Sequence, residues 1–176
     1  MACDLKEMLK ECGALLYGDF TLASGKKSSY YIDIKKASTN PQVLAEIADR
    51  MAMKIKERDM AVDRIAGVVL GSIPLAVALS LRTGIPFVMV RKEKKEHGTG
   101  RQIEGILLSG DKVLVIEDVV TSAGSSAEAV SILRGVGAIV TTVLTVIDRQ
   151  EGGSQRLKEM QVDLVPLLTA DQVLRR

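Results

Sequence analysis

With 176 residues, 47% of them hydrophobic and 26% charged, the chain has the size and composition of one globular domain rather than of a disordered or fibrous protein. A formal charge of +2 is too small to suggest nucleic acid as a partner, no apolar run approaches the roughly 20 residues that cross a bilayer, and residues 1–10 lack the apolar core of a secretory leader. The two cysteines, Cys3 and Cys12, lack metal-ligand spacing and read as free thiols, so the expectation is a cytoplasmic protein with neither a disulfide scaffold nor a zinc site.

In chain order, Leu5, Met8, Leu9 and Cys12 recur at helical spacing, and Gly13 follows as a stop, which predicts a helix over residues 4–12. Extended runs at 20–22 and 29–34 flank a turn at Ser24, Gly25, Lys26 and Lys27, the pattern of a small hairpin. Asn40 and Pro41 are a cap and a first-turn proline, and Val43, Ile47, Met51 and Ile55 lie four apart along the helix that follows. From there strands and helices alternate. Strands are predicted at 64–70, 86–90, 113–120, 139–147 and 162–168, helices from Pro74 to about Gly84 and over 125–134, and a terminal helical turn at 170–174. Residues 91–105 are polar, charged and without periodicity, and read as a long loop.

Strands alternating with helices imply right-handed crossovers and a central parallel sheet flanked by helices. The expected organisation is a single domain over residues 1–176, with an N-terminal helix and small hood in 1–38 and an α/β core in 39–176. Ligands of such sheets bind beyond the carboxyl ends of the strands, here the loops after Leu70, Val90, Val120 and Ile147.

The most informative of these strand ends is the run Val-Leu-Val-Ile-Glu-Asp-Val-Val-Thr-Ser-Ala-Gly-Ser-Ser from Val113 to Ser126. Four aliphatic residues bury a strand, and Glu117 and Asp118 follow at its carboxyl end. Adjacent carboxylates resist burial unless they bind something. Thr121, Ser122, Ala123, Gly124 and Ser125 then let backbone N–H groups approach an anion at the start of a helix, with hydroxyls as further donors. On their own these small residues favour an ordinary capped helix after a strand, and the acidic pair makes the difference. Carboxylates do not bind a phosphate directly. They accept hydrogen bonds from sugar hydroxyls or hold a magnesium ion through water. Phosphate and hydroxyls together describe a ribose 5-phosphate. The segment, with Val119 and Val120 between the acids and the loop, resembles the donor-binding signature of the type I phosphoribosyltransferases.

The stretch Arg91-Lys92-Glu93-Lys94-Lys95-Glu96-His97-Gly98 places four basic residues within five positions ahead of the chain's single histidine. A charge run is ordinarily a solvated face, and a lone histidine is ordinarily incidental. This run, however, leaves a strand's carboxyl end beside the phosphate cradle. The order Arg-Lys-x-x-Lys-x-His-Gly resembles the catalytic loop of the orotate branch of that family. The resemblance implies that Arg91, Lys92, Lys95 and His97 bind the diphosphate of 5-phosphoribosyl 1-diphosphate, with Lys95, His97 and Asp118 as the catalytic groups.

Residues 20–26 and 28–33 are similar to the family's N-terminal hood, which implies that Tyr31 and Ile32 lie against the orotate ring, with Thr121 nearby. Asp148-Arg-Gln-Glu151 is similar to a family segment whose arginine contacts the orotate carboxylate. Taken alone, Arg149 is as readily a surface arginine, although its fork suits a carboxylate. The resemblance runs from about Leu16 to Leu168 and departs at two places: Ala23 and Gly71 stand where many relatives have lysine, which shifts diphosphate binding toward residues 91–97. It further implies transfer of phosphoribose to orotate in UMP biosynthesis, with Mg²⁺ carried mainly by the donor rather than by protein ligands. It also implies a homodimer whose loop 91–105 is shared across subunits, with no nucleic acid or membrane partner. The alternatives are another base as acceptor, or a donor-sensing regulator. A regulator would be expected to carry a helix-turn-helix or a basic tail, and neither is read in these residues.

Overall fold

The computed structural model describes residues 4–21, 27–91 and 102–175. Helix α1 (Leu5–Glu11) is capped by the Asp4 side chain, which accepts from Lys6 N, and Gly13 at φ +71° turns the chain away. Strands β1 (Leu15–Thr21) and β2 (Lys27–Ile32) pair antiparallel as the expected hairpin. β1 begins earlier than residue 20. Most of its side chains are exposed and its register shifts between Tyr17 and Phe20, so no alternation marks it in the sequence. β2 stops at Ile32 rather than at residue 34, because the Asp33 side chain accepts from Lys35 N and caps a short helix, α2 (Ile34–Ser38).

Helix α3 (Pro41–Glu57) starts where the cap predicts, with the Asn40 side chain accepting from Gln42 N and Val43 N. Then follow β3 (Arg64–Val68), α4 (Ile73–Thr83), β4 (Phe87–Val90), β5 (Ile103–Glu104), β6 (Lys112–Val120), α5 (Gly124–Gly135), β7 (Ile139–Asp148), α6 (Gly153–Glu159), β8 (Asp163–Thr169) and α7 (Ala170–Leu174). The main sheet has the order β5-β4-β3-β6-β7-β8. Its strands are parallel except β5, which runs antiparallel to β4 at the edge and corrects the reading of 91–105 as loop throughout. Two residues are too few to write a periodicity. Residues 92–101 lie outside the described residues.

Alternation along β6 divides the core. Leu114 and Ile116 pack with Val43, Ile47 and Met51 of α3 and Leu75 and Leu79 of α4. Val113 and Val115 pack on the other face with Val130 and Leu133 of α5 and Leu157 of α6. Each such fully buried aliphatic side chain contributes roughly 1.5–3 kcal/mol. Strand order reverses between β3 and β6: the chain moves outward from β3 to β4, then returns to place β6 on β3's other side. The loops leaving β3 and β6 therefore diverge toward helices on opposite faces and open a crevice between them. Among the described residues, no helix is long and apolar enough to cross a membrane.

Candidate active site

Glu117 and Asp118 are consecutive on β6 and so point to opposite faces of the sheet. Glu117 follows Val113 and Val115 onto the α5 side, where it is buried and accepts a 3.0 Å hydrogen bond from Ser126 Oγ. Asp118 follows Leu114 and Ile116 onto the α4 side and is only half-buried. Its Oδ1 accepts from Val119 N at 2.8 Å, and its backbone carbonyl accepts from the Thr145 hydroxyl at 3.3 Å. Strand alternation separates the two charges, so their adjacency in sequence overstates their repulsion.

Oδ2 of Asp118 lies against Gly71, in the turn between β3 and α4 that also contains the cis Val69–Leu70 peptide. A Cβ on Gly71 would collide with Oδ2 and stand 2.9 Å from Asp118 Cγ. The departure from lysine at this position is thus coupled to where Asp118 sits. A side chain at 71 and the present Asp118 geometry exclude each other.

Beyond β6, Ala123 adopts the left-handed region at φ +56° and caps α5 without a side-chain hydrogen bond, and the helix's first turn holds no acidic residue. The first-turn N–H groups of α5 are left to an anion. They face a cavity of about 280 Å³ bounded by Glu117 and by the loop from Val119 to Ser126, with room for a phosphate group. Gly153, at the start of α6, braces this loop from behind. A Cβ there would stand 2.5 Å from Val120 Cγ1 and 2.7 Å from the Thr121 carbonyl oxygen.

Arg149 is tied to the same loop, since its backbone N donates to Val120 O at 2.9 Å. Its side chain is only 10% exposed. Nε donates to Glu151 Oε1 at 2.8 Å, and the guanidinium lies 5.0 Å from the centre of the Tyr30 ring. Burial raises the Tyr30 hydroxyl's pKa above its usual value, against the opposite pull of Arg149. Tyr31 lies on the other face of β2, 42% exposed, with its ring 5.7 Å from that of Phe20. Ile32 shares Tyr30's face and packs against the core. The strand's alternation therefore separates Tyr31 from Ile32 and puts Tyr30, which the sequence reading passed over, beside Arg149. The period of two was the signal that could have ranked them.

Arg91 follows the last residue of β4, its N donating to Gln102 O at 2.8 Å. Its Nε is buried and finds no hydrogen-bond partner among the described residues. Lys92, Lys95 and His97 lie outside the described residues, as does Ala23. The described residues thus bring Glu117, Asp118, residues 119–125 and Arg149 to one edge of the sheet. Gly71, Ser126, Tyr30 and Gly153 join them without having been singled out as ligand contacts. No group of three or more potential metal ligands occurs among the described residues.

Residues 34–165 match the family model of the phosphoribosyl transferase domain. The chain is 52% identical to an orotate phosphoribosyltransferase of Methanosarcina acetivorans over 98% of its own length and 91% of that protein's. Among solved structures it is similar to the orotate phosphoribosyltransferase of Aeropyrum pernix, at 37% identity, a TM-score of 0.87, and coverage of 97% of this chain and 96% of that one. It is also similar to the Mycobacterium tuberculosis orotate phosphoribosyltransferase in complex with 5-phospho-α-D-ribosyl 1-diphosphate, at 28% identity and a TM-score of 0.79, covering 96% of each chain.

Proposed function

The chain belongs to the type I phosphoribosyltransferase family, and we propose that it transfers phosphoribose from 5-phosphoribosyl 1-diphosphate to orotate, a step of pyrimidine biosynthesis. The bond from C1 of the ribose to the diphosphate oxygen breaks, and the diphosphate leaves with the electron pair. A bond from C1 to N1 of orotate forms as N1 gives up its proton. Orotidine 5′-phosphate and diphosphate are the products.

One observation carries the reading: the Arg149 backbone is hydrogen-bonded to Val120, so the chain's carboxylate-recognising guanidinium and its phosphate cradle leave neighbouring strands side by side. The cradle at residues 121–125 takes the 5-phosphate, and Asp118, at the crevice edge, faces the ribose hydroxyls. Glu117, held by Ser126, supports the loop from the buried side. Arg149 faces the orotate carboxylate with Tyr30 beside it, and Tyr31, on the opposite face of β2, and Ile32 belong to the hood strand. Arg91, Lys92, Lys95 and His97 meet the diphosphate. Positive charge there stabilises the negative charge that builds on the leaving group.

The half-exposed Asp118 carboxylate fits a magnesium ion borne by the donor and reached through water. Such an ion neutralises the diphosphate's charge. The reading also includes a homodimer that shares the loop 91–105 between subunits, and a cytoplasmic location, where a free thiol such as Cys12 stays reduced. The test is acceptor choice. With donor and Mg²⁺ supplied, orotate should be consumed, while adenine, hypoxanthine and uracil should not be. Turnover of a purine or of uracil in place of orotate would overturn the assignment.

A further inference from the structure

Helix α6 has no counterpart in the sequence reading, yet its seat is closely determined. Gly152 enters it at φ +94°, and Gly153 lies against Val120 and Thr121 with no space for a side chain. Leu157, four residues on, is fully buried. Residues three and four apart share a helix face. The residue one turn beyond Gly153 on that face is Arg156, and it emerges beside the phosphate cradle. Its Nη1 lies 3.8 Å from the point where a Cβ on Gly124 would begin. Gly124 opens α5, so the guanidinium stands beside the first residue of the helix whose N–H groups are left to an anion. The side chain is exposed, and no carboxylate among the described residues pairs with it.

We propose that Arg156 is a further donor-binding residue, whose guanidinium adds a mobile positive charge to the backbone cradle and binds the 5-phosphate of the phosphoribosyl donor. The proposal rests on the reading of residues 121–125 as the 5-phosphate site. It assigns affinity for one end of the donor to a residue outside both the acidic strand end and the basic loop.

Ribose 5-phosphate carries only the phosphate in question, and diphosphate only the other end of the donor, so the two inhibitors separate the roles. Relative to the parent enzyme, Arg156→Ala should raise the inhibition constant for ribose 5-phosphate about three- to tenfold, the range for a solvent-exposed charge-assisted contact. The inhibition constant for diphosphate and the KM for orotate should not move. Arg156→Lys should recover most of the loss, and the gap between Ala variant and parent should narrow at high ionic strength. An Ala variant inhibited by ribose 5-phosphate as strongly as the parent would overturn the inference and leave the cradle intact. A parallel rise for both inhibitors would also overturn it, by showing that the loop had moved as a whole. If ribose 5-phosphate fails to compete with the donor on the parent enzyme itself, the cradle reading falls, and the inference with it.

Discussion

Asp118 and Arg149 show how much of a site's chemistry is decided by single side chains whose backbones are already held. Asp118 is fixed by its own strand, by Val119 N and by the Thr145 hydroxyl, so its carboxylate is available for a ligand without being needed for the core. Asp118→Asn keeps the shape and removes the charge. Turnover should fall about tenfold or more, the loss expected for one charge-assisted hydrogen bond, while the melting temperature stays at the parent's value. A variant with parental turnover would remove Asp118 from the ribose site. Arg149 is held differently, by Glu151 at Nε and by the Tyr30 ring beneath it. Arg149→Ala should raise the KM for orotate roughly ten- to hundredfold, equivalent to about 1.5–3 kcal/mol, and leave the KM for the donor within a factor of about two. Equal shifts in both constants would make Arg149 a structural residue.

At the scale of elements, α6 and the phosphate loop behave as one piece through Gly153. Gly153→Ala puts a methyl group where Val120 and the Thr121 carbonyl already stand, and the neighbour at 2.7 Å is backbone and cannot swing aside. Overpacking of this kind costs about 1–3 kcal/mol, so denaturant midpoints should fall. The KM for the donor should rise more than that for orotate, because the displaced atoms belong to the cradle. Unchanged donor affinity in a destabilised variant would separate α6 from the site. The same element shows where sequence reading stops. Helix α1 was legible from the spacing of Leu5, Met8, Leu9 and Cys12 with the stop at Gly13, and α3 from Asn40 with Pro41, whereas the caps at Asp4 and Thr169 are seen only in the structure. The acidic strand end and the small-residue loop were legible too, because strand, charge and turn follow one another without interruption. α6 has seven residues and buries only Gly153 and Leu157, which writes no period. Its position depends on a side chain that is missing, and an absence has no pattern until the neighbour it admits is known. Tyr30 was passed over for a related reason. Two adjacent tyrosines are equivalent in composition, and only the facing of β2 distinguishes them.

For the whole molecule, the question is how the acidic strand end of one chain relates to the basic loop. Glu117 and Asp118 lie at the carboxyl end of β6, and Lys95 and His97 follow β4 in the sequence, a strand separated from β6 by β3. The proposed homodimer makes each site from Glu117 and Asp118 of one subunit and Lys95 and His97 of its partner. Asp118→Asn and Lys95→Ala proteins should then each be nearly inactive alone. When equal amounts are mixed and their subunits exchange, half of the dimers contain one chain of each kind. In such a dimer one site joins both defects, and the other joins the intact acids of the Lys95→Ala chain to the intact loop of the Asp118→Asn chain. Half the dimers with half their sites intact restore about a quarter of parental activity. A loop acting on its own chain gives a different result, because every site of every dimer then retains one defect. Activity that stays at the mean of the two variants, with subunit exchange demonstrated by a mass or fluorescence tag, would show that each chain completes its own site.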